Sequence, residues 1–258
     1  MRKAIYILAS AWFWFELFFV SALLFPVMLM MWCLTVLFDR RMFILHRMSC
    51  MWSGLVFFLN PLWRVSIRGR EKIDPRCAYV MVSNHQSGAD ILVLFKLMIH
   101  FKWVSKKSLF WFPFIGWNMF LNRYISLKRG KKSSINRMVG HCKAALKEGN
   151  SVMIFPEGTR SRDGNVQPFK TGAFRIALEA EVPVLPIAVR GTTKAIKKGG
   201  LMVHRNHDME VIVLDPIPYE RFRGMDVKEL AVYVQGMISS MVSSGTVNPV
   251  RPGPSPLS

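Results

Sequence analysis

Residues 78–99 read AYVMVSNHQSGADILVLFKLMI. A short apolar run, Ala78–Ser83, breaks at Asn84-His85-Gln86-Ser87-Gly88-Ala89 and gives way to a helix-like segment over Asp90–Ile99. The first run predicts a strand and the second a helix, and a strand that feeds directly into a helix is the unit of an α/β sheet. His85 and Asp90, five apart, would diverge by about 140° on one continuous helix. They can meet only if His85 lies in the strand-to-helix loop and Asp90 in the first helical turn. A carboxylate so placed accepts the Nδ1 proton of the imidazole, fixes its tautomer and leaves Nε2 free as a base.

Outward from this unit the pattern repeats. Short apolar runs predict strands at Arg64–Ile67, Lys102–Ser105, Tyr124–Leu127, Ser151–Phe155, Val184–Val189 and Met209–Leu214. Helix-like stretches cover Ser133–Lys147, Thr171–Ala180 and Val227–Val242. The expected fold class is α/β, a mixed, largely parallel sheet covered by helices. Val182-Pro183-Val184-Leu185-Pro186-Ile187 carries two prolines and predicts an edge or irregular strand. The expected organisation is an anchoring and interfacial region over 1–60, a catalytic domain over 61–244 and a proline-rich, disordered tail over 245–258.

Residues 4–38 are apolar apart from Glu16. A bilayer core needs about 20 apolar residues in a helix, so this run is long for one span and short for two. One span over 17–38 fits, as does a shallow helical hairpin that enters and leaves on one side. Arg2 and Lys3 precede the run and Arg40, Arg41 and Arg47 follow it, which favours the hairpin with both ends cytoplasmic. Residues 39–60 mix basic and apolar side chains and read either as an interfacial helix or as a core helix.

Composition narrows the function. Lys and Arg number 35 against 16 Asp and Glu, a net charge of +19, in a chain that is 51% hydrophobic. That hydrophobic share excludes a disordered chain. A basic nucleic-acid binder has a more polar surface; a basic and apolar chain points to an anionic membrane face. The four cysteines, Cys33, Cys50, Cys77 and Cys142, form no CxxC and read as free thiols. His204 and His207 lack carboxylate or cysteine partners in the sequence, so no metal site is expected.

Two further stretches end predicted strands. Phe155-Pro156-Glu157-Gly158-Thr159-Arg160-Ser161 follows Ser151–Phe155, at the strand end where α/β folds place ligands. Arg160 offers a planar fork for phosphate, while Glu157 bonds a hydroxyl, or holds Arg160 or a backbone group in place. Residues 123–132, RYISLKRGKK, form a strand that ends in a run of cations.

NHQSGAD, FPEGTRS and VPVLPI, in this order and spacing, resemble the glycerolipid acyltransferase family, in particular the 1-acyl-sn-glycerol-3-phosphate acyltransferases; the resemblance covers residues 60–215. Arg129 matches the family's Arg, whereas Arg123 stands where Gly is usual and Ser126 where an aromatic is usual. The resemblance implies the glycerol-phosphate acyltransferase fold and acyl transfer from acyl-CoA or acyl-carrier protein to a lysophospholipid hydroxyl at a membrane, with no cofactor. It assigns His85 as general base and Asp90 as its partner. Arg129 and Arg160 become the phosphate ligands, with Lys128 and Lys170 as further candidates, and Glu157, Gly158 and Thr159 join the substrate loop. Loop amides near Gly158 or Ser87 are the expected oxyanion donors. The lack of a GxSxG elbow weighs against a lipid hydrolase, and a non-enzymatic membrane-binding protein leaves His85 and Asp90 unexplained.

Overall fold

The computed structural model describes residues 2–61, 63–193, 195–196, 200–204 and 207–244. The tail from residue 245 lies outside them. Seven strands form one sheet: β1 (Trp63–Arg68), β2 (Val80–Ser83), β3 (Phe101–Lys106), β4 (Ile125–Leu127), β5 (Ser151–Ile154), β6 (Val184–Arg190) and β7 (His207–Val213). Their order across the sheet is β1-β7-β6-β2-β5-β3-β4. Every neighbouring pair is parallel except β6 with β7.

All residues of β2 (VMVS) and β5 (SVMI) are buried, so both faces of the sheet are covered. Met81, Met153, Leu185 and Ile187 face one core, and Val80, Val82, Val152 and Val184 face the other. The second core is closed by α5 (Lys132–Lys147), α6 (Gly172–Ala180) and α7 (Val227–Ser243). The first is closed by α1 (Arg2–Thr35), α2 (Phe43–Leu59), α3 (Ala89–Phe95) and α4 (Ile115–Leu121). Each large apolar side chain fully buried in these layers contributes about 1.5–3 kcal/mol.

Three expectations change. The hairpin expected inside residues 4–38 does not form, because α1 runs unbroken through Pro26. An interior proline weakens a helix without reversing the chain. Reversal comes at Asp39, whose carboxylate accepts the Phe43 and Ile44 N–H groups at 2.9 and 2.8 Å and so starts α2. The helical pair is therefore α1 with α2. Glu16 is turned inward and accepts from Asn60 Nδ2 at 2.6 Å, which keeps its carboxylate off the apolar outer face.

Second, β6 is an interior strand although it contains Pro186. The Pro186 carbonyl accepts the Leu214 N–H at 3.0 Å, so the missing N–H also faces the β7 side. Pro186 lies one position beyond the last β6–β7 pair, Ile187 with Val213, so the missing donor falls at the end of that ladder and not within it. Third, the helix expected over Asp90–Ile99 stops at Phe95, and Met98 turns the chain with φ +54°.

Of the two readings of residues 39–60, the helix packed on the core describes one face of α2. One face of α2 is buried through Leu45, His46, Trp52 and Val56, and the other exposes Phe43, Met51 and Phe58. The turn before α2 is fastened to the sheet. Lys102 Nζ donates to the Arg41 and Asn122 carbonyls at 2.7 and 2.8 Å, and the Arg41 side chain donates to Asn150 Oδ1 at 3.2 Å and to the Gly149 carbonyl. Burial, then the nearby Arg123 charge, pushes Lys102 down to about 8.

Within α1, Tyr6–Thr35 is long and apolar enough to cross a membrane, and the protein buries 17% of its most apolar window. This helix is a candidate membrane anchor.

Candidate active site

Because β2 and β5 are adjacent and parallel, the loops leaving their C-terminal ends lie side by side. One carries His85 and the other Glu157 and Arg160. Ser161 N–H donates to the His85 carbonyl at 2.7 Å and joins the loops directly.

His85 Nδ1 lies 2.8 Å from Asp90 Oδ2. The carboxylate can only accept, so Nδ1 carries the proton and Nε2 is the basic nitrogen. The same Oδ2 accepts the Gln86 and Ser87 N–H groups at 2.7 and 2.8 Å. Asp90 Oδ1 accepts the Thr192 hydroxyl at 2.5 Å. Asp90 is fully buried, while the His85 side chain keeps 12% exposure. A buried carboxylate is tolerated when its lone pairs are filled, and four donors fill these. The Phe155 ring stacks on the imidazole with centroids 4.0 Å apart and planes 10° apart, which sets the ring's orientation.

The loop around the pair is held from both sides. Asn84 exchanges two hydrogen bonds with the Val189 backbone, at 2.7 and 2.8 Å. Gln86 donates to the Gly164 carbonyl at 2.6 Å and accepts from Thr193 at 2.9 Å. Ser87 donates to the Ile196 carbonyl at 2.8 Å.

Glu157, expected on the substrate side, is turned inward instead. Its Oε1 accepts the His85 N–H at 2.6 Å and its Oε2 the Gln167 N–H at 3.2 Å. Of its expected alternatives, holding a backbone group is the one the geometry favours. Burial is the main cause that raises its pKa from 4.5 to about 7, against the lowering effect of the two N–H donors. Between those values the folded chain keeps a proton that the unfolded chain has released, so this group's contribution to stability falls as pH rises from 4.5 to 7. At about 1.4 kcal/mol per pKa unit the fall is about 3 kcal/mol. Glu157→Gln removes this titration. The stability advantage of the parent over the variant, followed by thermal unfolding in detergent, is expected to shrink by that amount across the window. A constant difference would contradict the assignment.

Gly158 has φ +70°, the left-handed region that favours glycine, and Lys170 Nζ lies 2.8 Å from where a Cβ would stand. Lys170 thus lies over this loop, and Thr159 is exposed beside it. A Cβ on Gly88 would come 3.7 Å from Arg160 Nη1, which puts that guanidinium against the His85 loop. The amides of Ser87 and Gly158 are both spent, on Asp90 and on the Phe155 carbonyl at 3.1 Å.

A cavity of about 350 Å³ borders the loop through Gly88 and Phe155. Its walls are Phe13, Trp14 and Leu17 of α1, Trp52 of α2, Ile91 and Phe95 of α3 and Trp103 of β3. Arg129 lines it as well, whereas Lys128 is exposed and outside the lining. Partial desolvation lowers the Arg129 pKa, and an arginine stays charged all the same. Arg123 adopts φ +55°, the left-handed region that explains why glycine is usual at that position.

Sequence reasoning missed Thr192, Gln167, Phe155 as a ring support, and the cavity. Thr192 follows Gly191 just past the end of β6. A small polar residue at a strand end beside the site was the only signal, and it is faint.

On this α/β fold, residues 64–190 match the Acyltransferase family. The chain is 39% identical over 186 residues to a chloroplastic 1-acyl-sn-glycerol-3-phosphate acyltransferase of Brassica napus, covering 70% of this chain and 53% of the relative. It is 32% identical over 195 residues to the 1-acyl-sn-glycerol-3-phosphate acyltransferase of Escherichia coli, covering 72% and 76%. The crystal structure of the 1-acyl-sn-glycerophosphate (LPA) acyltransferase PlsC of Thermotoga maritima superposes with a TM-score of 0.79 at 25% identity, covering 95% of this chain and 97% of that one. The chain belongs to the 1-acyl-sn-glycerol-3-phosphate acyltransferase family. It spans about half the length of the plant relative and about three quarters of the bacterial one.

Proposed function

We propose that the chain transfers an acyl group from a thioester, acyl-CoA or acyl-carrier protein, to the sn-2 hydroxyl of 1-acyl-glycerol-3-phosphate, giving phosphatidic acid. One juxtaposition carries the reading. His85, with Nε2 as its basic nitrogen, stands on a loop that borders an apolar cavity lined also by Arg129. The cavity suits an acyl chain and the cation suits a phosphate.

In the step, His85 Nε2 takes the acceptor's hydroxyl proton as the oxygen attacks the thioester carbonyl. The C–S bond then breaks, and the imidazolium returns the proton to the departing thiolate. Asp90 supports the imidazolium while it exists. A base positioned in this way contributes about 10²–10⁴ in rate. The acceptor is itself the nucleophile, so no acyl-enzyme is needed. The catalytic domain belongs on the cytoplasmic face of the membrane, the inner membrane if the chain is bacterial, where Arg40, Arg41 and Arg47 beside it match the positive charge usual on that side.

Acyl transfer from a radiolabelled donor to a panel of lysolipids tests the reading, with lysophosphatidate expected to be preferred. Arg129→Ala and Arg160→Ala should each weaken use of lysophosphatidate about 10- to 100-fold, the effect of losing a hydrogen bond to a charged group. Acceptors without a phosphomonoester should be affected much less. Equal losses on both kinds of acceptor would assign these arginines to the donor or to folding.

A further inference from the structure

Lys107–Leu121 reads KSLFWFPFIGWNMFL. It leaves the C-terminal end of β3, which lies at the same edge of the sheet as the His85 and Glu157 loops. A 3-10 turn over Lys107–Trp111 leads to α4. The inner side of the segment, through Leu109, Phe112, Ile115 and Met119, walls the cavity. The outer side carries Trp111 and Phe120, which are 77% and 75% exposed, and Trp117.

This crest is rigid. A Cβ on Gly116 would lie 2.5 Å from the Leu109 carbonyl oxygen, so the turn and the helix meet backbone to backbone. Phe114 is held at φ +60°, a conformation that a phenylalanine adopts only under constraint. Keeping large aromatic side chains in water is unfavourable, and a rigid crest cannot fold them away.

The crest continues the exposed apolar surface of α1. Phe114 meets Phe18 and Phe25 with ring centroids 5.4 and 5.9 Å apart, and Trp117 meets Phe25 at 5.4 Å. Exposed Phe15, Phe18 and Phe19 of α1 extend the same aromatic surface. Exposed Lys106 precedes the segment, exposed Lys107 opens it and exposed Arg123 follows it. Aromatic rings flanked by cations match the boundary between acyl chains and anionic headgroups.

We propose that Lys107–Leu121 is a second membrane-seating element, carried by the sheet rather than by the N-terminal helices, and that it sets the depth at which the cavity meets the lipid. This rests on the membrane association of α1. The test uses the full chain in vesicles of phosphatidylglycerol and phosphatidylethanolamine, in a Cys33→Ser/Cys77→Ser background. Nitroxide labels are placed singly at cysteines replacing Trp111, Phe120, Phe15 of α1 and Val232 of α7. Collision with oxygen, which partitions into lipid, is compared with collision with a water-soluble nickel chelate. Labels at 15, 111 and 120 are expected to favour oxygen several-fold over the label at 232. A label at 15 in lipid with labels at 111 and 120 in water would overturn this proposal alone. Labels at 15, 111 and 120 all in water would overturn the anchor as well. Labels at 111 and 120 shielded from both reagents would show that another copy of the chain covers the crest, and would also overturn it. As a second readout, Trp111→Ser/Phe120→Ser, which leaves the cavity lining untouched, should lower turnover on vesicle-borne lysolipid several-fold. It should leave turnover on a short-chain acceptor, dissolved below its micelle concentration, unchanged. Equal rates for parent and variant on vesicles would contradict the proposed seating.

Discussion

Replacing His85 by alanine is expected to cut turnover at least about 10²-fold, the lower bound for losing a positioned base. The fold should survive. Asp90 keeps the Gln86 and Ser87 N–H groups and the Thr192 hydroxyl after the imidazole is gone, so no buried charge is stranded. The His85 backbone, which links the two loops through Glu157 and Ser161, is unchanged. Initial rates in detergent micelles, with a thermal melt as the folding control, check this. A folded variant of near-normal rate would remove His85 from the chemistry.

Asp90→Asn separates orientation from charge. The amide oxygen can still face the Gln86 and Ser87 N–H groups, and its NH₂ can donate to the Thr192 hydroxyl, so folding is largely kept. A neutral amide gives the imidazolium little support. The expected loss is about 10²-fold or more, no larger than that of His85→Ala. Because the loss acts through His85, adding Asp90→Asn to His85→Ala should cost little more. A full further loss in the double variant would mean that Asp90 acts independently of the imidazole.

The sheet and the His–Asp pair were legible because both are local. Each strand is a short apolar run between turns, and His85 reaches Asp90 within one strand-to-helix connection. What was misread depended on distant partners. Pro186 looks like an edge signal until the β6–β7 register places it just past the last pair of that ladder, Ile187 with Val213. The flanking cations favour a hairpin inside residues 4–38, but the chain reverses only at Asp39, which supplies the acceptors that start the next helix. Residues 107–121 have no clear period; a 3-10 turn and a constrained Phe114 break any repeat. Thr192 is a hundred residues from Asp90, and the cavity draws its walls from elements spread from Phe13 to Ile196. No local pattern encodes either.

The central claim is that His85 delivers the acceptor hydroxyl directly to the thioester. Its most direct test follows thiol release and phosphatidic acid formation together, on the purified full chain, with a radiolabelled acyl donor and with or without 1-acyl-glycerol-3-phosphate. The account predicts one thiol released per phosphatidic acid formed, negligible release without acceptor, and no label left on the protein after denaturation. Rapid thiol release without acceptor, or label bound covalently to the chain, would contradict it.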